Sequence, residues 1–253
     1  MFNRDKQPQP KLVFGIHAVL EAVRSGKEIE KLIIKKEMSG EALRELMKAC
    51  RERNIPYQFV PVDRFDRITR KNHQGLIAYM AEIEYQPLEM VVSAVFEDGR
   101  EPAILILDHI TDVRNFGSIA RTAECAGFDA IAIPDKGAAQ INSDAIKTSS
   151  GALHNINICR VTNLTNAVKY LKDCGLKVFA ATEKAKQPYY KTNMKGPVAI
   201  VLGAEDAGIS PEILRYADEL VQIPMIGKTS SLNVSVAAGI IIYEVVKQRL
   251  SDF

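Results

Sequence analysis

Six short apolar segments between residues 103 and 224 are separated by stretches that mostly have helical periodicity. They are rich in Ile and Val and apolar on both faces, which is typical of strands buried in a parallel sheet. This alternation of strands and helices predicts an α/β fold. The predicted strands are AILILD (103–108), DAIAIP (129–134), INICRV (156–161), LKVFAA (176–181), PVAIVLG (197–203) and ELVQIP (219–224).

A second, smaller α/β unit is predicted before this sheet. Two helical patterns, FGIHAVLEAVRSG ending at Gly26 and SGEALRELMKACRERN, alternate with the strand-like segments KLIIKK (31–36), YQFVPV (57–62) and GLIAYMAEI (75–83). The predicted organisation is a flexible tail at 1–11, a small domain at 12–83, a linker with one short helix at 84–101, and a larger domain at 102–253.

Charge is divided unevenly between the two halves. Residues 1–80 hold 16 Lys and Arg against 10 Asp and Glu, a balance of +6, and the other 173 residues hold 17 against 21, a balance of −4. A basic N-terminal unit fits a polyanionic partner, but scattered lysines that solvate helices would give the same balance. Both interpretations stay open at this point.

Composition excludes several other classes. No apolar run is long enough to span a membrane, and the N-terminal residues lack the apolar stretch of a secretory signal. The four cysteines form no C-x-x-C pair, which argues against a zinc or redox site and indicates reduced core thiols in a cytoplasmic protein. The four histidines have no ligand-like spacing, so no metal site is expected.

The usual nucleotide-binding motifs are absent. A single glycine follows the strand 103–108, where a G-x-G-x-x-G turn would stand in a Rossmann fold. Gly227-Lys228-Thr229 does not belong to a P-loop, because Gln222 occupies the position of the required first glycine.

The segment DVRNFGSIARTA (112–123) follows a strand end, which is where ligands bind in open α/β sheets. Asn115 is interpreted as a helix cap. Arg121 lies among apolar neighbours and needs an anionic partner, either a phosphate or an internal carboxylate.

Two further segments follow strand ends. In LGAEDAGISP (202–211), two glycines allow the backbone to approach a ligand closely, or form an ordinary tight turn before a helix that begins at Ser210-Pro211. In IPMIGKTSSLNVSVAA (223–238), two serines precede a long helix whose free N–H groups suit a carboxylate or phosphate, although plain capping explains them equally.

In this order and spacing, the three segments resemble the signature motifs of SpoU/TrmH RNA 2′-O-ribose methyltransferases, N-x-G-x-x-x-R, L-G-x-E-x-x-G and I-P-M-x-G-x-x-x-S-L-N-V-S-V-A. The N-terminal unit resembles the family's L30e-like substrate-binding domain. The resemblance implies a knotted SPOUT fold, a homodimer whose active site uses both chains, and S-adenosylmethionine as cofactor without a metal. The largely apolar helix over 232–246 suits the dimer interface.

The family's functional residues map onto ten positions. The implied catalytic residues are Asn115, Arg121, Glu205, Ser231 and Asn233. The implied cofactor-binding residues are Leu202, Gly203, Ile223, Met225 and Leu232. Val113 and Ala204 depart from the commonest family residues, proline and asparagine, which puts loop shape in doubt.

The resemblance is strongest to the branch that modifies a guanosine of large-subunit ribosomal RNA. A transfer RNA substrate is an alternative. Two further alternatives are an RNA-binding protein that has kept the fold without activity and a base methyltransferase with the same knot. The motif residues argue against the first, and Ser231-Leu232-Asn233 argues against the second.

Overall fold

The computed structural model describes residues 11–53, 55–69 and 72–251, which fold as two compact units. The first unit runs to Glu84 and includes Ile141–Ser143, and the second comprises Tyr85–Gln140 and Asp144 onward. The predicted tail at 1–11 lies, apart from Lys11, outside the described residues.

The first unit is a mixed sheet with helices. Its described elements are β1 Leu12–Phe14, α1 Ile16–Arg24, β2 Ile29–Lys35, α2 Glu41–Glu52, β3 Tyr57–Val60, α3 Asp63–Ile68 and β4 Leu76–Met80. The sheet order is β1-β4-β2-β3, with β4 antiparallel to both neighbours and β3 parallel to β2. The three predicted strands are confirmed as β2, β3 and β4. The prediction missed β1, because its three residues merge with the helical pattern of α1, and it missed α3.

Helices cover both faces of the sheet in this unit. Leu20, Leu32 and Leu46 share one buried cluster, so α1 and α2 cover one face of the sheet. Phe65 of α3 packs with Ile77 on the other face. The helical patterns read from the sequence therefore reflect burial against this sheet.

The second unit contains the predicted parallel sheet. Its described helices and strands are α4 Leu88–Glu97, β5 Ala103–Asp108, α5 Val113–Cys125, β6 Ala130–Pro134, α6 Ser143–Thr148, β7 Asn157–Val161, α7 Leu164–Asp173, β8 Lys177–Ala181, β9 Gln187–Pro188, β10 Val198–Gly203, α8 Pro211–Tyr216, β11 Glu219–Gln222 and α9 Val234–Leu250. Two 3₁₀ turns occur at Ala152–His154 and Tyr189–Lys191.

The sheet order is β7-β6-β5-β10-β8-β11-β9, and each of these neighbouring pairs is parallel. The α/β class and all six predicted strands are confirmed. The edge strand β9 was not predicted, because two residues carry no periodic signal. Ile104, Ile106 and Val201 pack with α4, α7 and α8, and the alternate residues of these strands are buried as well. Both faces of the sheet are therefore covered, as expected for parallel strands.

The predicted C-terminal helix is confirmed as α9, which packs against α5 and β10. Its last turns are held by polar contacts. Gln248 Nε2 donates to Glu244 Oε1 (2.8 Å) and to the carbonyl of Thr192 (2.9 Å), while Gln248 Oε1 accepts from the Met194 N–H (2.8 Å). These bonds fix the segment before β10 against α9. The knot implied by the resemblance stays a prediction.

The cysteines were expected to be core thiols. Cys50 and Cys159 are buried, whereas Cys125 is exposed and Cys174 is partly buried. For Cys125 the prediction was wrong, because the last residue of α5 lies on the outer side of the helix.

Candidate functional site

A cavity of about 470 Å³ opens where β8, β10 and β11 end. Parallel strands bring their carboxyl ends to one edge of the sheet, so three successive loops meet there, and the start of α9 closes the cavity. The lining residues are Ala181, Thr182, Glu183, Lys184, Leu202, Gly203, Ala204, Glu205, Asp206, Ala207, Gly208, Ile209, Ile223, Met225, Ser230, Ser231, Leu232, Val234 and Ala237.

The loop after β10 folds back on its own strand. The Gly208 N–H donates to the carbonyl of Ala204 (2.8 Å), and Gly208 has a φ of +66°, a conformation that favours glycine. A Cβ on Gly203 would lie 2.2 Å from the carbonyl carbon of Gly208. The two glycines therefore form the tight turn that the sequence analysis considered, and close approach of this backbone to a ligand stays a prediction.

Asp108, at the end of β5, fixes both ends of this loop. Its carbonyl accepts from the Ala204 N–H (3.1 Å), and its buried carboxylate accepts from the Ser210 N–H (2.7 Å). Ser210 is the N-cap of α8 with Pro211 following it, as predicted, but its hydroxyl makes no capping bond and lies 3.1 Å from His109 Nε2. Sequence reasoning missed Asp108, because a carboxylate at a strand end carries no motif.

Three polar side chains from the three motifs meet at Asn233. Its Nδ2 donates to Asn115 Oδ1 (3.0 Å) and to Glu205 Oε1 (3.0 Å). Glu205 Oε1 also accepts the N–H of Val234 (2.9 Å). The structure therefore joins three of the five predicted catalytic residues directly.

The orientation of both amides follows from one backbone donor. The Ser235 N–H can only donate, and it bonds to Asn233 Oδ1 (3.0 Å). Nδ2 of Asn233 must therefore face Glu205 and Asn115 Oδ1, which leaves Nδ2 of Asn115 on the other side of its amide group. Among the residues described, that Nδ2 has no hydrogen-bond acceptor, so it is available to a ligand.

The structure contradicts the interpretation of Asn115 as a cap and the alternative in which the two serines cap α9. Asp112, not Asn115, caps α5, because its carboxylate accepts the Asn115 N–H (2.7 Å) from three residues earlier. Asn233, not Ser230 or Ser231, caps α9. Both serines line the cavity instead.

Arg121 stands apart from this network. It is exposed on α5, about 120° around the helix from Asn115, and is not among the lining residues. No ion pair joins it to any residue in the described ranges, so the internal carboxylate partner considered for it is absent there.

All five predicted cofactor-binding residues, together with Glu205 and Ser231, line the cavity. The prediction missed the end of β8 and the loop after it, which contribute Ala181, Thr182, Glu183 and Lys184. The sequence does show a strand ending at Ala181. That this strand lies beside β10 is a fact of topology, and no local pattern contains it.

The cavity lining contains three carboxylates, Glu183, Glu205 and Asp206, and one ammonium group, that of Lys184. The formal excess of two negative charges suits a ligand with cationic groups. Across the described ranges, no group of three or more His, Cys, Asp or Glu side chains could hold a metal ion. No helix in those ranges is long and apolar enough to cross a membrane.

Comparison with known families agrees with this architecture. Residues 102–243, more than half of the chain, match the model of the SpoU rRNA methylase family. The chain belongs to the SpoU rRNA methylase family. It is thus a methyltransferase of the SpoU/TrmH type, as its three motifs predicted. Residues 12–86 match a second model, described as RNA 2′-O ribose methyltransferase substrate binding.

Individual SpoU/TrmH proteins are similar along almost the whole chain. A Bacillus subtilis (strain 168) protein named as a TrmH family tRNA/rRNA methyltransferase, YacO, is 34% identical over 238 residues, covering 94% of this chain and 95% of its own. A solved RNA 2′-O ribose methyltransferase has a TM-score of 0.56 at 25% identity, covering 96% and 90% of the two chains. The SpoU methyltransferase AviRb from Streptomyces viridochromogenes, solved with AdoMet, shares the fold (TM-score 0.61, 24% identity, 99% and 95% covered).

Proposed function

We propose that this protein transfers a methyl group from S-adenosylmethionine to a ribose 2′-hydroxyl of structured RNA. The observation that carries the proposal is the hydrogen-bonded group of Asn115, Glu205 and Asn233 beside a cavity lined by the second and third motifs. Three segments that are far apart in sequence thereby supply one polar centre.

The cavity fits S-adenosylmethionine in size and chemistry. A volume of about 470 Å³ lies within the usual range of small-molecule sites, roughly 300–1,000 Å³. Leu202, Ile223 and Leu232 offer apolar walls, and the folded-back loop at Gly203 offers backbone groups. The excess of carboxylates suits a cofactor that carries a sulfonium and an ammonium group.

When bound, S-adenosylmethionine supplies a methyl group on a cationic sulfur, ready for in-line displacement. A ribose hydroxyl is a weak nucleophile, so the protein must position it and remove its proton. The open Nδ2 of Asn115 and the hydroxyl of Ser231 are suited to hold the ribose. Glu205 is held by two donors on Oε1, and Oε2 has no partner among the described residues. Glu205 therefore orients the amides through Oε1, and its Oε2 would accept the proton that the ribose hydroxyl loses on methylation.

Arg121 in this proposal binds an RNA phosphate and stabilises the developing alkoxide. A guanidinium holds its proton strongly, which makes it a poor base but a good partner for developing negative charge. Because Arg121 does not line the cavity of its own chain, we assign it to the active site of the second subunit of a homodimer.

The dimer proposal is supported by the outer face of α9. Val236, Tyr243 and Leu250 are seven residues apart, so they form one stripe, and each is at least half exposed. A helix that leaves such a stripe uncovered is suited to pack against a second copy. Tyr243→Asp should convert a dimer to monomers in light scattering, whereas a wild-type monomer would refute the dimer.

A complementation experiment tests the assignment of Arg121. Arg121→Ala and Glu205→Ala chains are each inactive alone, but their mixed dimer contains one site with both residues if Arg121 acts across the interface. Random mixing then restores about one quarter of wild-type activity. If Arg121 acts in its own chain, mixing restores none.

As substrate we propose a guanosine of large-subunit ribosomal RNA. Two features support this choice, namely the motif Ser230-Ser231-Leu232-Asn233 and the N-terminal unit that matches a substrate-binding model. The test is transfer from labelled S-adenosylmethionine to undermodified ribosomal and transfer RNA, followed by nuclease mapping. We expect 2′-O-methylguanosine in large-subunit RNA, lost in Arg121→Ala. Label in transfer RNA alone would overturn the substrate, and base methylation would overturn the reaction.

A further inference from the structure

The segment 184–195 (KAKQPYYKTNMK), here called the lysine strap, is basic, whereas residues 81–253 as a whole have a net negative charge. Residues 81–253 hold 17 Lys and Arg, and four of them lie in this strap of twelve residues, which contains no Asp or Glu. The other 161 residues hold 13 basic against 21 acidic residues. So local a concentration of positive charge indicates a polyanionic partner for this part of the second unit.

Buried and exposed residues alternate in two parts of the strap, and its lysines are exposed. Ala185 is buried between the exposed Lys184 and Lys186. Further along, Thr192 and Met194 are buried and alternate with three exposed residues, Lys191, Asn193 and Lys195. The buried residues anchor the strap on either side of the 3₁₀ turn at Tyr189–Lys191, and the exposed residues face solvent.

Specific hydrogen bonds from α9 hold the strap and the residue after it in place. Gln248 of α9 bonds to the carbonyl of Thr192 and the N–H of Met194, and Arg249 donates to the carbonyl of Gly196 (2.8 Å). β9 adds parallel pairing with β11. The strap is therefore a supported surface of the sheet edge.

Three of the four strap lysines have no carboxylate partner among the described residues. Within the part of the chain that the structure describes, Lys184, Lys186 and Lys191 form no ion pair. Tyr190 is 51% exposed, and its ring lies edge-on to Tyr189 with centroids 5.4 Å apart. Lysines interleaved with a supported aromatic ring are the combination that binds single-stranded nucleic acid, with phosphates on the ammonium groups and a base stacked on the ring.

The strap starts at the candidate active site, because Lys184 lines the cavity. Resting on the proposed function, we infer that the lysine strap is an RNA-binding surface of the methyltransferase unit. It guides the single-stranded RNA next to the target ribose, with Lys186 and Lys191 on phosphates and Tyr190 stacked on a base.

The salt dependence of RNA affinity tests the phosphate contacts. The probe is an unmodified transcript of large-subunit ribosomal RNA, bound by the full chain across a series of salt concentrations. Lys186→Ala with Lys191→Ala should lower the slope of log affinity against log salt by about 1.4–1.8, since each phosphate contact contributes about 0.7–0.9. Lys186→Arg with Lys191→Arg should retain the slope. The matched control, Lys169→Ala with Arg215→Ala, removes two exposed charges from α7 and α8 and should leave it unchanged.

Stacking is tested separately. Tyr190→Ala should weaken RNA binding about tenfold at every salt concentration with no change in slope, and Tyr190→Phe should bind like wild type. S-adenosylmethionine affinity, measured by calorimetry, should be unchanged in all strap variants except one at Lys184.

The outcomes separate this inference from the proposed function. If wild type binds the transcript and transfers methyl groups but the strap variants keep its slope and affinity, the strap inference fails and the function stands. If the variants change the oligomeric state and not the salt slope, the strap is a contact between copies of the chain, and the inference is overturned. If wild type neither binds RNA nor transfers methyl groups, the proposed function itself fails.

Discussion

The carbonyl carbon of Gly208 lies so close to Gly203 that a Cβ on Gly203 would be only 2.2 Å from it. Backbone atoms of Gly208 and Ile209 surround that point, so no side-chain movement can relieve the contact. The folded-back loop after β10 thus excludes a side chain at position 203, and the φ of +66° at position 208 favours glycine there. This contact shapes one wall of the cavity.

Gly203→Ala should therefore open the loop and disrupt the proposed cofactor site. We expect a loss of about 1–3 kcal/mol in the free energy of unfolding, typical of overpacking, and a large loss of S-adenosylmethionine affinity. Denaturant unfolding and calorimetry measure the two quantities. Gly239→Ala is the control, because its Cβ would meet only Thr122 Cγ2 at 3.9 Å and alanine favours a helix. Wild-type cofactor affinity in Gly203→Ala would contradict the assignment of the cavity.

Asn233 has two roles that one substitution can separate. Its Oδ1 caps α9, and its Nδ2 links Glu205 to Asn115. Asn233→Asp keeps the cap, since Asp caps as well as Asn, but sets a carboxylate against that of Glu205. Methyl transfer should fall at least about 100-fold while Tm changes by only a few degrees.

Asn233→Ser supplies the comparison, because it also caps without introducing charge. It should retain more activity than Asn233→Asp. If both variants lose activity only in proportion to lost stability, Asn233 serves as a cap alone, and the polar centre has no part in the reaction.

The sequence predicted more of the strands than of the site. β5 through β11 were readable, except for β9, because strands buried on both faces are short unbroken apolar runs. Asn115 illustrates the limit of that approach. Its spacing allowed a cap, yet α5 begins earlier, and Asp112 caps it by accepting the Asn115 N–H. Nothing local decides between two side chains that can both cap a helix.

Residues supplied by neighbouring strands were also out of reach. Glu183 and Lys184 line the cavity because β8 lies between β10 and β11, an order that differs from the order along the chain. Asp108 was missed for a similar reason, since its partner Ser210 lies 102 residues away. The resemblance to a family identified the motif residues, whereas topology added the rest.

Burial should protect two of the four thiols. It raises the pKa of Cys50 to about 11 and that of Cys159 to about 12, so at pH 8 both remain thiols, which are weak nucleophiles. Alkylation of the folded protein at pH 8, followed by peptide mass spectrometry, should leave both unmodified while the exposed Cys125 reacts. In denaturant all should react. Modification of Cys159 before unfolding would mean that its part of the core opens locally.

Asp218 should link stability to pH. Burial alone would raise the pKa of its carboxyl, but hydrogen bonds from Lys172 Nζ and the Val178 N–H, with the charges of Lys172 and Lys177, lower it. A carboxyl with a lower pKa in the folded state stabilises the fold above its unfolded pKa of about 3.9, and that contribution is lost as pH falls through the folded pKa.

Asp218→Asn should thus lower the free energy of unfolding at pH 7 by about 1 kcal/mol, and the difference from wild type should shrink as the pH falls below about 4. Urea unfolding at a series of pH values measures this. Asp173→Asn is the matched control. It removes an exposed carboxylate at the C-terminal end of α7, and this carboxylate has no partner in the described ranges. A difference between Asp218→Asn and wild type that stays constant from pH 7 to pH 3 would show that the carboxylate charge contributes nothing, and that only the shape of the side chain matters.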